Sequence, residues 1–558
     1  MAVKTDSIQF SRHHTFDVNG SASPISFLPS LLSAACVLFA ATLILASYSH
    51  ISETWDEPAH IGTGMEWLAR GTYTLDLIDP PLPRVSVALG PYLLGSRPTG
   101  HRDPWLEGNA ILDASPNPYK TLVAARLGVL PYFLIAAFLT WRMTKRWLGS
   151  WPALMATALF CTCPPVLAHA GLATTDMAFA AMFLFATDRL WLVIEAPGWL
   201  NALLAGIGIG LACLSKLSGA PYVGLCAVIL LSYRFFVMKK WVPLKYWAIA
   251  IVAVFFTIWA GFYFEVDALG SQDPAAQMQV QHLLAKLGPL RKPASLVANH
   301  FPAKSYAQSI RAAAYLKAHP PLGYLFGRLY SGGLWYFFLV ILLVKTPVPF
   351  LLLAIPGMFF AAGRLWKMGD GFALVTLCGI VIPILFNTLS HVNLGVRHVL
   401  VVYPFLAMVA ALTCTRLWNI TKANWVAPSA AAALLAWQIA SCLYVSPEFL
   451  TYLNEPAAPY TGYLCADSDL DWGQDIGYLS QKLKQLHASN VWIAYSGMAN
   501  LNREDLPAWH RLADDQQTKG WVVLSETWAR WYPQRYAWLE QKYRVGTAGK
   551  TLRIYYVP

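Results

Sequence analysis

The chain has 558 residues, 56% of them hydrophobic and only 13% charged, and 41 Lys and Arg against 30 Asp and Glu leave a formal charge of +11. A soluble domain is about a quarter charged, so this composition excludes an ordinary soluble globular protein, as well as intrinsic disorder, collagen-like chains and coiled coils. Repeated apolar runs of about 20 residues, each long enough to cross a hydrocarbon layer about 30 Å thick, make it a polytopic membrane protein.

In chain order the apolar runs predict crossings near 27–48, 121–141, 151–169, 174–194, 199–215, 217–233, 243–264, 331–361, 372–389, 397–415 and 425–445, about eleven in all. The run 331–361 is interrupted by Lys345-Thr346-Pro347 and is counted once. Basic residues gather in short loops at Arg142, Lys145 and Arg146, at Arg234, Lys239, Lys240 and Lys245, at Arg364 and Lys367, and at Arg416 and Lys422. Such loops mark the cytoplasmic side, which accounts for the positive charge without nucleic acid. The nine Cys lie mostly inside apolar runs and give neither a disulfide framework nor a zinc spacing. The first run lacks a small-residue cleavage site, so residues 1–26 are expected as a cytoplasmic segment before a retained helix.

This order predicts a transmembrane domain over 27–445, with loops of about 50–120 and 265–330 away from the cytoplasm. An α/β domain is predicted on the same side over 446–558, with a helix at Gln474–Leu486 and strands at Val491–Tyr495, Trp521–Leu524 and Thr551–Val557. Leu82–Gly95 is apolar but too short to span, and is expected to lie along the interface.

Chemistry-bearing residues stand at the ends of these runs. After the first crossing comes Thr54-Trp55-Asp56-Glu57-Pro58-Ala59-His60, where Asp56 either caps a helix striped by Ile61, Met65 and Leu68 or serves as a general base. Asp79-Pro80-Pro81-Leu82-Pro83-Arg84 is a rigid turn, and the forked donors of Arg84 suit a lipid phosphate. Asp176 opens the fourth crossing in Thr174-Thr175-Asp176, where a helix cap is the competing reading. Lys216 sits in a hinge between crossings and Arg397 at a membrane edge, in Gly395-Val396-Arg397-His398; each is either an anion binder or a snorkelling anchor. Lys345, inside an apolar run, is costly unless paired and is a functional candidate by position. The second large loop is basic for its side, with Lys286, Arg291, Lys292, Lys304, Arg311, Lys317 and Arg328. The run Asp467-Ser468-Asp469-Leu470-Asp471-Trp472-Gly473-Gln474-Asp475 alternates acids as a calcium loop does, yet Trp472 stands where such a loop needs Gly and no Glu closes it; a capping turn fits better.

Taken together, the acid pair Asp56-Glu57, the Pro-Pro-Leu turn, the Thr-Thr-Asp opening, Gly395-Val396-Arg397 and Asp471-Trp472-Gly473-Gln474-Asp475 resemble the C-type, lipid-carrier-dependent glycosyltransferases. The resemblance is in particular to the protein mannosyltransferase and aminoarabinose transferase relatives. That resemblance implies transfer of a sugar, with inversion, from a polyprenyl-phosphate donor to an acceptor hydroxyl on the side away from the cytoplasm. It implies Asp56 as the base and Glu57 as the residue orienting it or the acceptor. Asp79, Arg84, Asp176, Lys216, Lys345 and Arg397 are then expected around the substrate, the cations facing the departing phosphate. Asp79 departs from the pattern, since some relatives carry a lysine or histidine before the double proline. No cofactor is required by any ligand spacing, and a divalent cation stays open. The implied partners are the lipid-linked donor, an acceptor that is a protein, a lipid or a glycan, and the bilayer; the compact chain, without a terminal retention signal, is expected in a bacterial inner membrane. The rival reading, a transporter or flippase for a lipid-linked or anionic substrate, would place charges near mid-membrane on broken helices in matching halves; no such repeat is visible. A membrane scaffold would leave the acids at the membrane edge without a role.

Overall fold

The computed structural model describes residues 24–271, 274–420, 425–540 and 543–558; residues 1–23 of the expected cytoplasmic segment, and Lys422, lie outside the described residues. The first half comprises α1 (Pro24–Ser47), α2 (Glu57–Arg70), α3 (Pro81–Leu93), α4 (Pro104–Asp113), α5 (Pro118–Leu127) and α6 (Leu130–Leu148). After these come α7 (Ser150–Cys161), α8 (Pro164–Ala170), α9 (Asp176–Glu195), α10 (Trp199–Ser215), α11 (Gly219–Phe236) and α12 (Leu244–Gly261). Three shorter helices, α13 (Pro274–Ala285), α14 (Arg291–Asn299) and α15 (Lys304–Ala318), lead to α16 (Phe337–Lys345), α17 (Val348–Met368), α18 (Gly371–Ser390), α19 (Tyr403–Ile420) and α20 (Val426–Val445).

All eleven apolar runs are helical, but they do not make eleven uniform spans. Among the described residues nine helices are long and apolar enough to cross a membrane, and a tenth results if α7 and α8, bent by 64°, are taken as one span. The protein is a multi-pass membrane protein, with the expected count of about eleven lowered for physical reasons. Helix α10 has only 17 residues. The bend between α7 and α8 falls where Pro164 and Pro165 open a new helix and supply no amide to continue the old one. Within 331–361 the chain breaks at Thr346-Pro347, so that α17, not the whole run, is the candidate span.

The most enclosed spans are α9 and the stretch Val396–Trp418, while α12 and α20 present most of their surface outward. Exposed large side chains such as Phe27, Leu31, Leu38, Leu244, Ile251 and Phe359 are the surface that a bilayer would cover. Leu82–Gly95 forms α3, which packs on α2 so closely that a Cβ at Gly64 would lie 2.0 Å from the Arg84 carbonyl oxygen. Its last turn leaves Leu93 and Leu94 exposed, as an interfacial segment requires.

The C-terminal region is an α/β unit. Its five-stranded sheet runs in the order Ala508–Arg511, Asn490–Ala494, Gly520–Ser525, Leu552–Val557, Tyr543–Ala548; the first three are parallel and the last two antiparallel to their neighbours. Ile476, Leu479 and Leu483 of the helix Ile476–Gln485 cover one face, and Tyr536 and Leu539 pack on the other. The predicted helix and three predicted strands are all present. Ala508–Arg511 and Tyr543–Ala548 escaped prediction because they are edge strands without a fully buried apolar alternation.

The acidic run 467–475 fastens this unit instead of forming a calcium loop. Asp471 accepts from the Ser525 hydroxyl and from the Thr527 amide at 2.9 Å. Asp475 accepts from the amides of Lys550 and Thr551, at 2.8 and 2.9 Å, and from the Thr551 hydroxyl. Burial nevertheless dominates, pushing Asp471 up to about 7 and Asp475 up to about 6. Carboxyl groups whose folded pKa exceeds the unfolded value stabilise the fold fully below the unfolded pKa, and lose that contribution as pH rises through the folded one. The midpoint of thermal unfolding in detergent should therefore fall between pH 5 and pH 8, and a midpoint that rises over this range would contradict the assignment.

Candidate active site at one end of the bundle

Helix α2 starts immediately after the loop that leaves α1, with Asp56 at its N-cap position. Asp56 makes no side-chain capping hydrogen bond; its carboxylate instead accepts from Arg397 Nη1 at 2.5 Å. Glu57, one residue on, faces the opposite way. Its carboxylate is wholly buried against Arg126, with Nε and Nη2 donating at 2.8 Å, and it also accepts from the amides of Ala173 and Thr54 at 2.8 and 2.9 Å. Burial alone would raise its pKa, but the Arg126 guanidinium and these hydrogen bonds outweigh it and hold Glu57 below the usual glutamate range. Glu57 therefore locks the start of α2 to α5 and to the loop before α9, and orients Asp56 through the backbone.

The same division appears at the head of α9. Thr175 makes no side-chain cap, and Asp176 takes a hydrogen bond from Lys216 Nζ at 2.5 Å. Neither Asp56 nor Asp176 spends its carboxylate as a helix cap. Arg84, at the start of α3, is buried and almost fully engaged. Nε donates to His60 Nδ1 at 3.1 Å, Nη1 donates to the Tyr73 hydroxyl and the Asp76 and Asp79 carbonyls, and Nη2 donates to the Asp76 carboxylate. The Asp79 carboxylate is 3.8 Å from the guanidinium. Arg84 thus organises the turn before α3 and has little left to offer a phosphate.

The C-terminal unit holds both halves of the Asp56–Arg397 pair. The Trp55 amide donates to the Trp472 carbonyl at 3.0 Å, and the Ser52 amide to the Gln474 carbonyl at 2.9 Å. On the other side the Val396 amide donates to Asp469 Oδ1 at 2.9 Å, and the Ser468 hydroxyl to the Leu394 carbonyl at 2.7 Å. The Arg397 guanidinium lies over the Trp472 ring, 4.5 Å from its centre. Gly395, with φ of 92°, permits this approach, since a Cβ there would lie 2.8 Å from Ser468 Oγ. Lys345 belongs to the same framework. It is buried and donates to the Leu450 carbonyl at 2.8 Å and to the Asp469 carbonyl, outside the cavity, so the chain break after it is stitched to the C-terminal region.

Between these elements opens a cavity of about 630 Å³. Asp56, Asp79, Arg84, Lys216 and Arg397 line it; Asp176 stands behind Lys216, and Glu57 and Lys345 do not reach it. The sequence reading missed the roles of His60, Asp76 and Tyr306, which also line the cavity with Lys317 of the basic second loop, and it missed the buried Arg126. An arginine inside the apolar run 121–141 was the one available signal for Arg126; the others lack a local pattern. Among the described residues no group of three or more His, Cys, Asp and Glu side chains is arranged to hold a metal ion. Asp56 and Asp176 are each already paired with a cation.

The fold has solved counterparts among membrane proteins at low sequence identity. The structure of ArnT from Cupriavidus metallidurans bound to undecaprenyl phosphate is similar to this chain with a TM-score of 0.50 at 14% identity, over 95% of this chain and 98% of that one. ArnT of the same organism in the apo state gives a TM-score of 0.49 at 12% identity, with the same coverage. The Archaeoglobus fulgidus oligosaccharyltransferase in its apo form gives 0.46 at 12% identity, over 88% of this chain and 62% of that one. No curated protein matches the sequence. Residues 33–273, less than half of the chain, match the family model for dolichyl-phosphate-mannose-protein mannosyltransferases. The family match indicates a membrane glycosyltransferase.

Glu57 and Arg126 are both without solvent exposure, so removing one partner strands a buried charge at a cost of about 3–5 kcal/mol. Arg126→Met should therefore lower the yield of monodisperse protein in detergent and its unfolding midpoint, whereas Asp76→Asn, at a partly exposed pair, should change both far less.

Proposed function

We propose that this protein is an inverting glycosyltransferase that moves a sugar from a polyprenyl-phosphate donor to an acceptor hydroxyl on the extracytoplasmic face of a bacterial inner membrane. The observation that carries the reading is the Asp56–Arg397 pair on the wall of the cavity, which Lys216 also lines. The ligand named for the C. metallidurans structure, undecaprenyl phosphate, is of the donor class this reading requires.

The donor phosphate enters as an anion and competes with Asp56 for the Arg397 guanidinium, whose forked donors match phosphate oxygens. Asp56 is then free to accept a hydrogen bond from the acceptor hydroxyl. That oxygen attacks the anomeric carbon from the face opposite the phosphate while its proton passes to the Asp56 carboxylate. The bond from the anomeric carbon to the phosphate oxygen breaks, and the phosphate leaves with the electron pair. Charge gathers on that oxygen as the bond lengthens, so Arg397 and Lys216 stabilise the transition state more than the bound donor. Asp176 positions Lys216, and Trp472 supports the Arg397 guanidinium with its ring face. The mechanism routes no step through a metal ion; a cation at Asp56 or Asp176 would have to displace Arg397 or Lys216.

In this reading residues 446–558 lie on the extracytoplasmic side with the cavity, and the basic loops lie in the cytoplasm. The test is transfer by purified protein from pooled polyprenyl-phosphate sugars to membrane extract. Asp56→Asn should lower kcat by about 10²–10⁴-fold, the range for loss of a positioned base, with folding retained. Arg397→Gln should lower it by about 10²–10³-fold, the cost of removing a charge-stabilising donor. Equal activity of Asp56→Asn and the parent protein would sink the base assignment.

A further inference from the structure

Two imidazoles, His60 and His398, line the cavity and have no task in the reaction as described, and of these His60 is the one fixed by a side-chain hydrogen bond among the described residues. His60 lies one turn beyond Asp56 on α2, its amide donating to the Asp56 carbonyl at 3.2 Å. It is 4% exposed and lines the cavity. Its Nδ1 accepts the hydrogen bond from Arg84 Nε at 3.1 Å. A guanidinium only donates, so Nδ1 is the bare nitrogen and the ring proton sits on Nε2. A second proton would have to occupy Nδ1 itself and break the bond to Arg84.

The charged groups around the ring are Arg84 from α3, Asp56 at the head of its own helix, and Asp76 and Asp79 from the turn before α3. Burial and the Arg84 charge prevail over the three acids and hold the imidazole below its ordinary pKa. Among the described residues Nε2–H has no hydrogen-bond acceptor, which leaves it as a donor for whatever fills the cavity. The donors of Arg84 are committed to His60, Tyr73, Asp76 and Asp79. The influence of Arg84 on a ligand therefore passes through His60.

We propose that His60 is a ligand-binding residue of this cavity, a neutral donor whose tautomer is set by Arg84 and whose Nε2–H hydrogen-bonds an oxygen of the donor phosphate. This rests on the function proposed above and adds a third contact, of a different kind, to Arg397 and Lys216. A neutral donor can hold a phosphate oxygen without placing another cation beside Asp56, whose carboxylate has to accept the acceptor's proton.

Two substitutions separate the jobs of the two ring nitrogens. In His60→Asn the amide oxygen falls near Nδ1, where it can accept from Arg84, but nothing reaches the position of Nε2. In His60→Gln the longer amide reaches the Nε2 position with an N–H, and Arg84 loses its acceptor. The measurement is binding of undecaprenyl phosphate to the full chain in detergent, together with the unfolding midpoint of each variant. We expect His60→Asn to bind about tenfold more weakly with its midpoint unchanged, as for loss of a hydrogen bond to a charged group, and His60→Gln to bind closer to wild type at a lower midpoint. Wild-type affinity in His60→Asn would overturn the proposal, as would equal losses of affinity in both variants that follow their loss of stability. Failure of the wild-type protein itself to bind undecaprenyl phosphate would instead overturn the proposed donor class.

Discussion

Charges beside an apolar layer stay ionised only where each has its counter-ion, and here the counter-ions come from remote parts of the chain. Asp56 finds Arg397 across 341 residues, Glu57 finds Arg126 across 69 and Asp176 finds Lys216 across 40. These pairs tie the start of α2 to α5 and to the approach of α19, and the start of α9 to the junction of α10 and α11. Helix packing alone could let such ends slide by a turn. The pairs remove that freedom, so the interactions that satisfy the charges also define the cavity.

Two adjacent carboxylates with one backbone trajectory have acquired opposite characters. Glu57 is saturated by one guanidinium and two amides, with no exposure and no route to a ligand. Asp56 has one guanidinium partner, a side chain 21% exposed and an opening to the cavity. An acid that must exchange partners during a reaction needs the second environment, and the helix that presents it needs the first. The adjacency is thus a division of labour between holding a position and using it.

The sequence showed clearly whatever depends on local pattern. Every apolar run is helical, some as two helices in succession, and the predicted strands of the C-terminal unit are present because alternation and length are local properties. The count of spans was less certain, since a proline break at Thr346-Pro347 and a bend at Pro164 change which pieces can cross without changing composition. Of the eight site residues expected, five line the cavity. Lys345 was misplaced because an isolated cation in an apolar run looks the same whether it meets a substrate or the Leu450 and Asp469 carbonyls. His60 stood in view in the motif after the first crossing, but only the approach of Arg84 from α3 shows which of its nitrogens is free to act.

The contacts of the Asp471-Trp472-Gly473-Gln474-Asp475 segment bear on how the protein is made. The Trp55 amide and the Val396 amide each end on an acceptor contributed by the C-terminal region. A ribosome that has released only the helices up to α20 has therefore produced a bundle whose acid and guanidinium are not yet held in register. Their alignment waits for residues 446–558 to fold, which makes completion of this later-synthesised unit a checkpoint on the competence of the earlier one.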